Sequence, residues 1–205
     1  MTAVKHIVSD MGGVLIELDW FSQASTMLGR TVTVDELHHL WVNASSVAAF
    51  ETGQQTDFEG FIQAFATEFG YDLNTDNVAT LKQRFQRMLK APLPDCDRVL
   101  AELSQHYPLS LLSNTNPVHM QYVRSNFGSL LTYFGNLFLS FEMGYLKPNE
   151  AIYQQVVNAL QLEPAAIAFF DDGRHNVEVA RGLGIQAFQV QSPREILAIV
   201  QGLPK

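Results

Sequence analysis

Ile167-Ala168-Phe169-Phe170-Asp171-Asp172 is the stretch on which the fold turns. Four apolar residues without alternation read as a strand buried on both faces, the pattern of a parallel sheet. Two carboxylates follow where that strand would leave the sheet. Placing both at one buried strand end is costly unless a cation sits there. Working outward, apolar runs recur at 5–10, 109–112, 137–140 and 186–190, and those in the second half are each followed by a helical pattern. Such alternation predicts an α/β fold built on a doubly wound, Rossmann-like parallel sheet. In that architecture ligands bind outside the carboxyl ends of the strands.

Helix boundaries in the second half are well marked. Asn116-Pro117 offers a cap and a proline at the first helical position, and Pro148 suits the same place in its own helix. Ser192-Pro193-Arg194-Glu195 adds a capping box, while Gly182 and Gly184 close the helix that begins after Asp172. Between Trp20 and Lys90 the period changes. Phe58, Phe61, Ile62, Phe65 and Phe69 form one helical stripe, and Leu81, Phe85, Met88 and Leu89 another. Thr56 with Glu59 reads as a capping box for the first. The chain therefore divides into a sheet core of residues 1–19 and 91–205 and an all-helical unit of residues 20–90, with Pro92 and Pro94 in the exit linker. A helical lid inserted there would lie over the crevice.

With 205 residues, 47% of them hydrophobic and 17% charged, the chain buries a full core as an ordinary globular protein. Its net charge of −8 and the lack of any Lys/Arg run argue against nucleic acid or an anionic membrane as partner. The single Cys96 cannot form an internal disulfide, and no secretory or membrane-length apolar run occurs, so a cytoplasmic setting is expected. Nothing in the sequence bears on oligomeric state.

Four short pieces carry chemistry: Asp10-Met11-Gly12-Gly13-Val14, Leu112-Ser113-Asn114, Lys147-Pro148, and Asp171-Asp172. Asp10 ends the first strand in a glycine turn, from which a carboxylate attacks phosphorus, binds a metal, or only bonds the turn. Ser113 is placed to donate to a phosphoryl oxygen, or is a turn serine ahead of Asn116. Lys147 offers the positive charge that phosphoryl transfer requires. Mg²⁺ suits one or two carboxylates plus a substrate phosphate.

In order and spacing these pieces resemble the haloacid dehalogenase (HAD) superfamily, and within it the phosphatases with a helical cap after the first motif. Leu112-Ser113-Asn114-Thr115-Asn116, Gly144-Tyr145-Leu146-Lys147-Pro148, and Phe169-Phe170-Asp171-Asp172 with Asn176 carry the likeness. They are most similar to the bacterial α-D-glucose-1-phosphate phosphatase-like subgroup, and also to the phosphatase domain of soluble epoxide hydrolases. The resemblance implies a Mg²⁺-dependent phosphatase of small phosphorylated metabolites, sugar phosphates first, working through an aspartyl-phosphate. Asp10 would be nucleophile and metal ligand, with Asp172 and the Gly12 carbonyl completing the protein's metal ligands. Ser113, Asn114, Lys147, Gly13 and Glu51 would contact substrate, Lys147 also pairing with Asp10. Asp171 and Asn176 would orient the ligands from behind.

Gly12 departs from most family phosphatases, which carry there a second Asp as general acid and base. Such help is worth about 10²–10⁴-fold in rate, so a substrate with a good leaving group, such as a sugar 1-phosphate, is expected. Glu17, Asp19, Glu51 and His175 are the candidate substitutes, His175 first because its side chain titrates near neutrality. His119 reads as an exposed surface histidine. His38 and His39, adjacent on a predicted helix, point apart and do not form a metal pair. Trp20, Phe21 and Phe50 either face substrate or pack the helical unit. Two other readings compete: a metal-independent 2-haloacid dehalogenase of the same fold, and a weakly active phosphometabolite-binding or regulatory protein.

Overall fold

The structure, a computed structural model, describes residues 2–27, 31, 33, 35, 41, 43–70 and 78–204. His38 and His39 lie outside the described residues.

Five parallel strands form the central sheet: β1 (His6–Ser9), β4 (Leu109–Ser113), β5 (Phe134–Leu139), β6 (Ile167–Asp171) and β7 (Gln186–Gln189), in the order β5-β4-β1-β6-β7. Side chains alternate across the strands, and both faces are apolar. Ile7, Leu111, Ala168 and Phe170 face one layer, while Val8, Leu112, Ile167 and Phe169 face the other. Helices α5 (Cys96–Ser104) and α11 (Pro193–Gly202) pack together in the first layer. Helices α9 (Glu150–Leu160) and α10 (Arg174–Gly182) pack in the second. The expected doubly wound α/β fold is the one observed. Because β4 and β6 flank β1, the chain order reverses at the first strand, and the crevice opens at its carboxyl end.

Among the described residues, the intervening helices include α1 (Trp20–Met27), α2 (Ser45–Glu51), α3 (Phe58–Phe69) and α4 (Val78–Gln86). Phe50, Phe58, Phe61, Phe65 and Phe85 knit them together, with Phe50 and Phe61 stacked at 4.4 Å. Phe50 therefore packs this unit and does not face substrate. Trp20 packs partly buried against Trp41 at 5.0 Å, whereas Phe21 is exposed.

Three local expectations are corrected. Asp57, not Thr56, caps α3, its carboxylate accepting from Gly60 N at 2.7 Å. The second apolar stripe leaves the helix at Gln86. Leu89 opens β3 (Leu89–Pro92), which pairs antiparallel with β2 (Ile16–Leu18), so the expected proline linker is half strand. Pro148 follows a cis peptide and precedes α9, which Asn149 caps by accepting from Ala151 N. No described helix is long and apolar enough to cross a membrane.

Candidate active site

Sheet topology brings the four pieces together. Asp10 follows β1, and its backbone N–H is held by the Phe170 carbonyl of the neighbouring strand at 2.8 Å. Ser113 ends β4 and Asp171 ends β6, so three chemistry-bearing residues share one sheet edge. Lys147 arrives from the loop after α8 (Ser140–Met143).

Lys147 is the hub. Its Nζ donates to Asp10 Oδ1 at 2.8 Å, to Asp171 Oδ2 at 2.6 Å, and to the Leu112 carbonyl at 3.1 Å. All three ammonium protons are thereby placed, with the side chain only 1% exposed. Burial works against the charge, yet Asp10 and Asp171 hold it well above the usual lysine range. The backbone of Lys147 is clamped as well. Asn114 donates from Nδ2 to its carbonyl at 2.9 Å and accepts its N–H at 2.8 Å. The amide of Asn114 therefore places the lysine.

Asp171 is fully buried and committed. Besides Lys147, it accepts at Oδ1 from Asn176 Nδ2 and from Gly173 N, each at 2.8 Å. Asp172 is held by no other side chain among the described residues. Burial, then the nearby Asp171, raises its pKa above the usual carboxylate range. Gly13 makes room for it, because a Cβ there would lie 2.3 Å from Asp172 Oδ2. Burial likewise pushes Asp10 up to about 7, against the pull of Lys147 and helped by the two other aspartates.

Oxygen atoms of Asp10, Asp171 and Asp172 lie within 4.8 Å of one another. Three carboxylates against one ammonium leave a buried surplus of negative charge, which an oxygen-preferring divalent cation would balance. This donor set fits Mg²⁺. The oxygens not bonded to Lys147, Asn176 or Gly173 belong to Asp10 and Asp172.

The substitutes for a second Asp separate cleanly. Glu17 pairs with Lys90 at 2.7 Å on the β2–β3 ribbon, and Asp19 accepts from Gln23 at 3.0 Å. The His175 side chain, on α10, is 75% exposed with Nδ1 3.9 Å from Glu178 Oε2. Glu51, at the end of α2, is buried, and burial pushes it up to about 7. A Cβ at position 12 would sit 3.3 Å from the Leu18 methyl carbons, which would have to give by a few tenths of an ångström.

His119 is buried rather than exposed. It stacks on Phe85 at 4.3 Å and reaches the Phe85 carbonyl from Nε2 at 2.9 Å, joining core to helical unit. Ser140, read as the last residue of a strand, instead opens α8. Its hydroxyl accepts from Thr115 N and donates to Thr115 O, fixing the loop that carries Ser113. A small polar residue ending an apolar run gives no sign of that role.

Comparison with known proteins agrees with this geometry. A family model described as haloacid dehalogenase-like hydrolase matches residues 4–184. A curated relative, D-ribitol-5-phosphate phosphatase of Bacteroides thetaiotaomicron, is 28% identical over 199 residues, covering 92% of this chain and 93% of its own. A HAD family enzyme from the same organism, solved in complex with magnesium and inorganic phosphate, is 26% identical with TM-score 0.72, covering 91% of this chain and 94% of that one. L-2-haloacid dehalogenase from Xanthobacter autotrophicus shares the fold at 24% identity and TM-score 0.63, over 91% of this chain and 77% of its own. With the matched span running from the first strand to the glycine turn after α10, the chain belongs to the haloacid dehalogenase-like hydrolases.

Proposed function

We propose that the protein is a Mg²⁺-dependent phosphatase of small phosphorylated metabolites, acting through an aspartyl-phosphate on Asp10. The observation that carries this reading is the division of labour on Asp10: Lys147 holds Oδ1 at 2.8 Å, and no described donor holds Oδ2. One oxygen is oriented and the other is left to attack phosphorus. Ser113, whose hydroxyl makes only a long 3.4 Å contact to the Asn114 carbonyl, turns to a phosphoryl oxygen. Lys147 neutralises charge on nucleophile and phosphoryl group together. Asn114 keeps that lysine in register from behind. When bound, Mg²⁺ would be held by Asp10, Asp172 and the Gly12 carbonyl, and would supply charge neutralisation to the phosphoryl oxygens. Asp171 and Asn176 fix the loop beside it.

Residues 20–90 act as the cap over the core of residues 1–19 and 91–205, and closure over substrate excludes water. Sugar and sugar-alcohol phosphates are the first candidates, since a relative spanning 92% of the chain is named for D-ribitol 5-phosphate, an alkyl ester. Cys96 is buried and its thiol pushed up to about 12 by that burial, an unreactive state. The surplus carboxylate charge disfavours a metal-independent dehalogenase.

Phosphate release from a panel of phosphate esters tests the reading, with Mg²⁺ and with EDTA, beside Asp10→Asn. Release should need Mg²⁺ and vanish in the variant. No release from any ester, together with halide release from a 2-chloro acid, would overturn it.

A further inference from the structure

We infer that Glu51, carried over the crevice by the helical unit, is the acid–base residue that replaces the side chain missing at Gly12. The inference rests on the phosphatase reading. It starts from a buried carboxylate that nothing in the described residues explains structurally. Glu51 is 8% exposed, and no ion pair among the described residues holds it. The Trp41 indole N–H lies close enough to favour its charged form, though it forms no hydrogen bond of ordinary geometry. A carboxyl so nearly buried, with only an imperfectly placed indole N–H beside it, is expensive unless a ligand completes it.

Its position points to the crevice. Glu51 ends α2, which packs on α8, the helix whose Ser140 is tied to Thr115 two residues beyond Ser113. The following turn is pressed onto the core: a Cβ at Gly53 (φ +74°) would lie 2.2 Å from the Phe141 carbonyl oxygen. Lys147, the hub beside Asp10, is the charge that reaches Glu51 from the core. From the elements packed on α2, Glu142 of α8 and Glu59 and Glu68 of α3 are the other carboxylates, and Glu68 is bound by Ser45 and Ser46 at the far end of the helix. Burial holds Glu51 near a pKa of about 7, so both protonation states are populated at neutral pH.

The proton balance closes over one turnover. Asp10 attacks phosphorus and the P–O bond to the leaving alcohol breaks, its oxygen taking the proton of the Glu51 carboxylic acid. Water then attacks the aspartyl-phosphate and gives its proton to the Glu51 carboxylate. The P–O bond to Asp10 breaks, returning the Asp10 carboxylate, inorganic phosphate and a protonated Glu51. An acid supplied from the helical unit serves only when that unit is docked. It also removes the need for a good leaving group, so alkyl phosphates become competent substrates.

The test is Glu51→Gln, nearly isosteric and checked for folding by thermal unfolding, with Glu51→Asp as the conservative variant. Rapid-quench rates of the first half-reaction are measured on p-nitrophenyl phosphate, whose leaving group needs no acid, and on D-ribitol 5-phosphate. In Glu51→Gln the ratio of alkyl to aryl rate should fall at least tenfold. Phosphoenzyme should accumulate with the aryl ester because the base of the second step is gone. Glu51→Asp should recover part of the alkyl rate. Equal slowing of both esters, or a rise in KM alone, would overturn the inference and leave Glu51 a binding or structural group. No phosphate release by the unmodified enzyme would overturn the phosphatase reading itself, and the inference with it.

Discussion

Gly13 and Asp172 occupy one space: the missing Cβ of the glycine would lie 2.3 Å from an oxygen of the aspartate. The turn after β1 and the end of β6 thus interlock, and the proposed second metal ligand depends on a hydrogen in the first loop. Gly13 also has φ +73°, where a side chain is strained by roughly 1 kcal/mol. Gly13→Ala should displace Asp172 and raise the Mg²⁺ concentration for half-activation at least tenfold. Titration of activity with Mg²⁺ reads this out, and an unchanged midpoint would detach Asp172 from the metal.

Lys147 balances Asp10 and Asp171 from within the protein. Removing it in Lys147→Met leaves uncompensated buried charge, a loss of about 3–5 kcal/mol in stability, together with turnover. Mg²⁺ should then recover a larger share of Tm in the variant than in the wild type, because a cation supplies what the ammonium no longer does. Thermal unfolding with and without EDTA measures it. Equal Mg²⁺ shifts in both proteins would mean that the ion does not share these carboxylates.

Asn114 is proposed to act by positioning Lys147. Asn114→Ala loses both bonds to the Lys147 backbone and should lower stability by about 1–3 kcal/mol. kcat should fall with KM nearly constant, since both heteroatoms of the amide are engaged by the Lys147 backbone. A rise in KM with kcat intact would make it a substrate contact instead.

Much of the site was legible because it lies where periodicity breaks. Asp10, Ser113 and Asp171 each end an apolar strand, and parallel topology alone sends them to one edge. Lys147 could be placed with them only through the family likeness, as it comes from a loop with no strand of its own. What stayed hidden depends on contacts distant in sequence. Leu89 continues a helical stripe by spacing, yet pairing with Leu18 makes it strand. His119 opens a helix that looks solvated, but Phe85 covers it from another unit. His175 had the right chemistry by residue type, while the backbone of α10 turns it to solvent. Thr56 and Asp57 are both good caps, and only the Asp57–Gly60 bond decides between them.

The buried His119 gives a pH signature. Asn116 donates from Nδ2 toward its Nδ1 at 3.0 Å, and Nε2–H donates to the Phe85 carbonyl, so the neutral ring is satisfied and a second proton would face a donor. Burial lowers its pKa from 6.5 to about 4. The unfolded chain therefore binds the extra proton between these values, and stability rises with pH across that window. The contribution is complete above pH 6.5 and lost as pH falls to about 4, a change of roughly 3 kcal/mol. Denaturant unfolding of wild type and His119→Gln should show their difference shrinking from pH 7 to pH 4. A pH-independent difference would contradict the assignment.

The most direct test of the central claim is mass spectrometry of acid-quenched enzyme after brief mixing with Mg²⁺ and a phosphate ester. The account predicts one phosphoryl group on the peptide containing Asp10, absent with EDTA and in Asp10→Asn, and more abundant in Glu51→Gln. Phosphate release with no adduct on that peptide in any of these proteins, or an adduct on another residue, would contradict it.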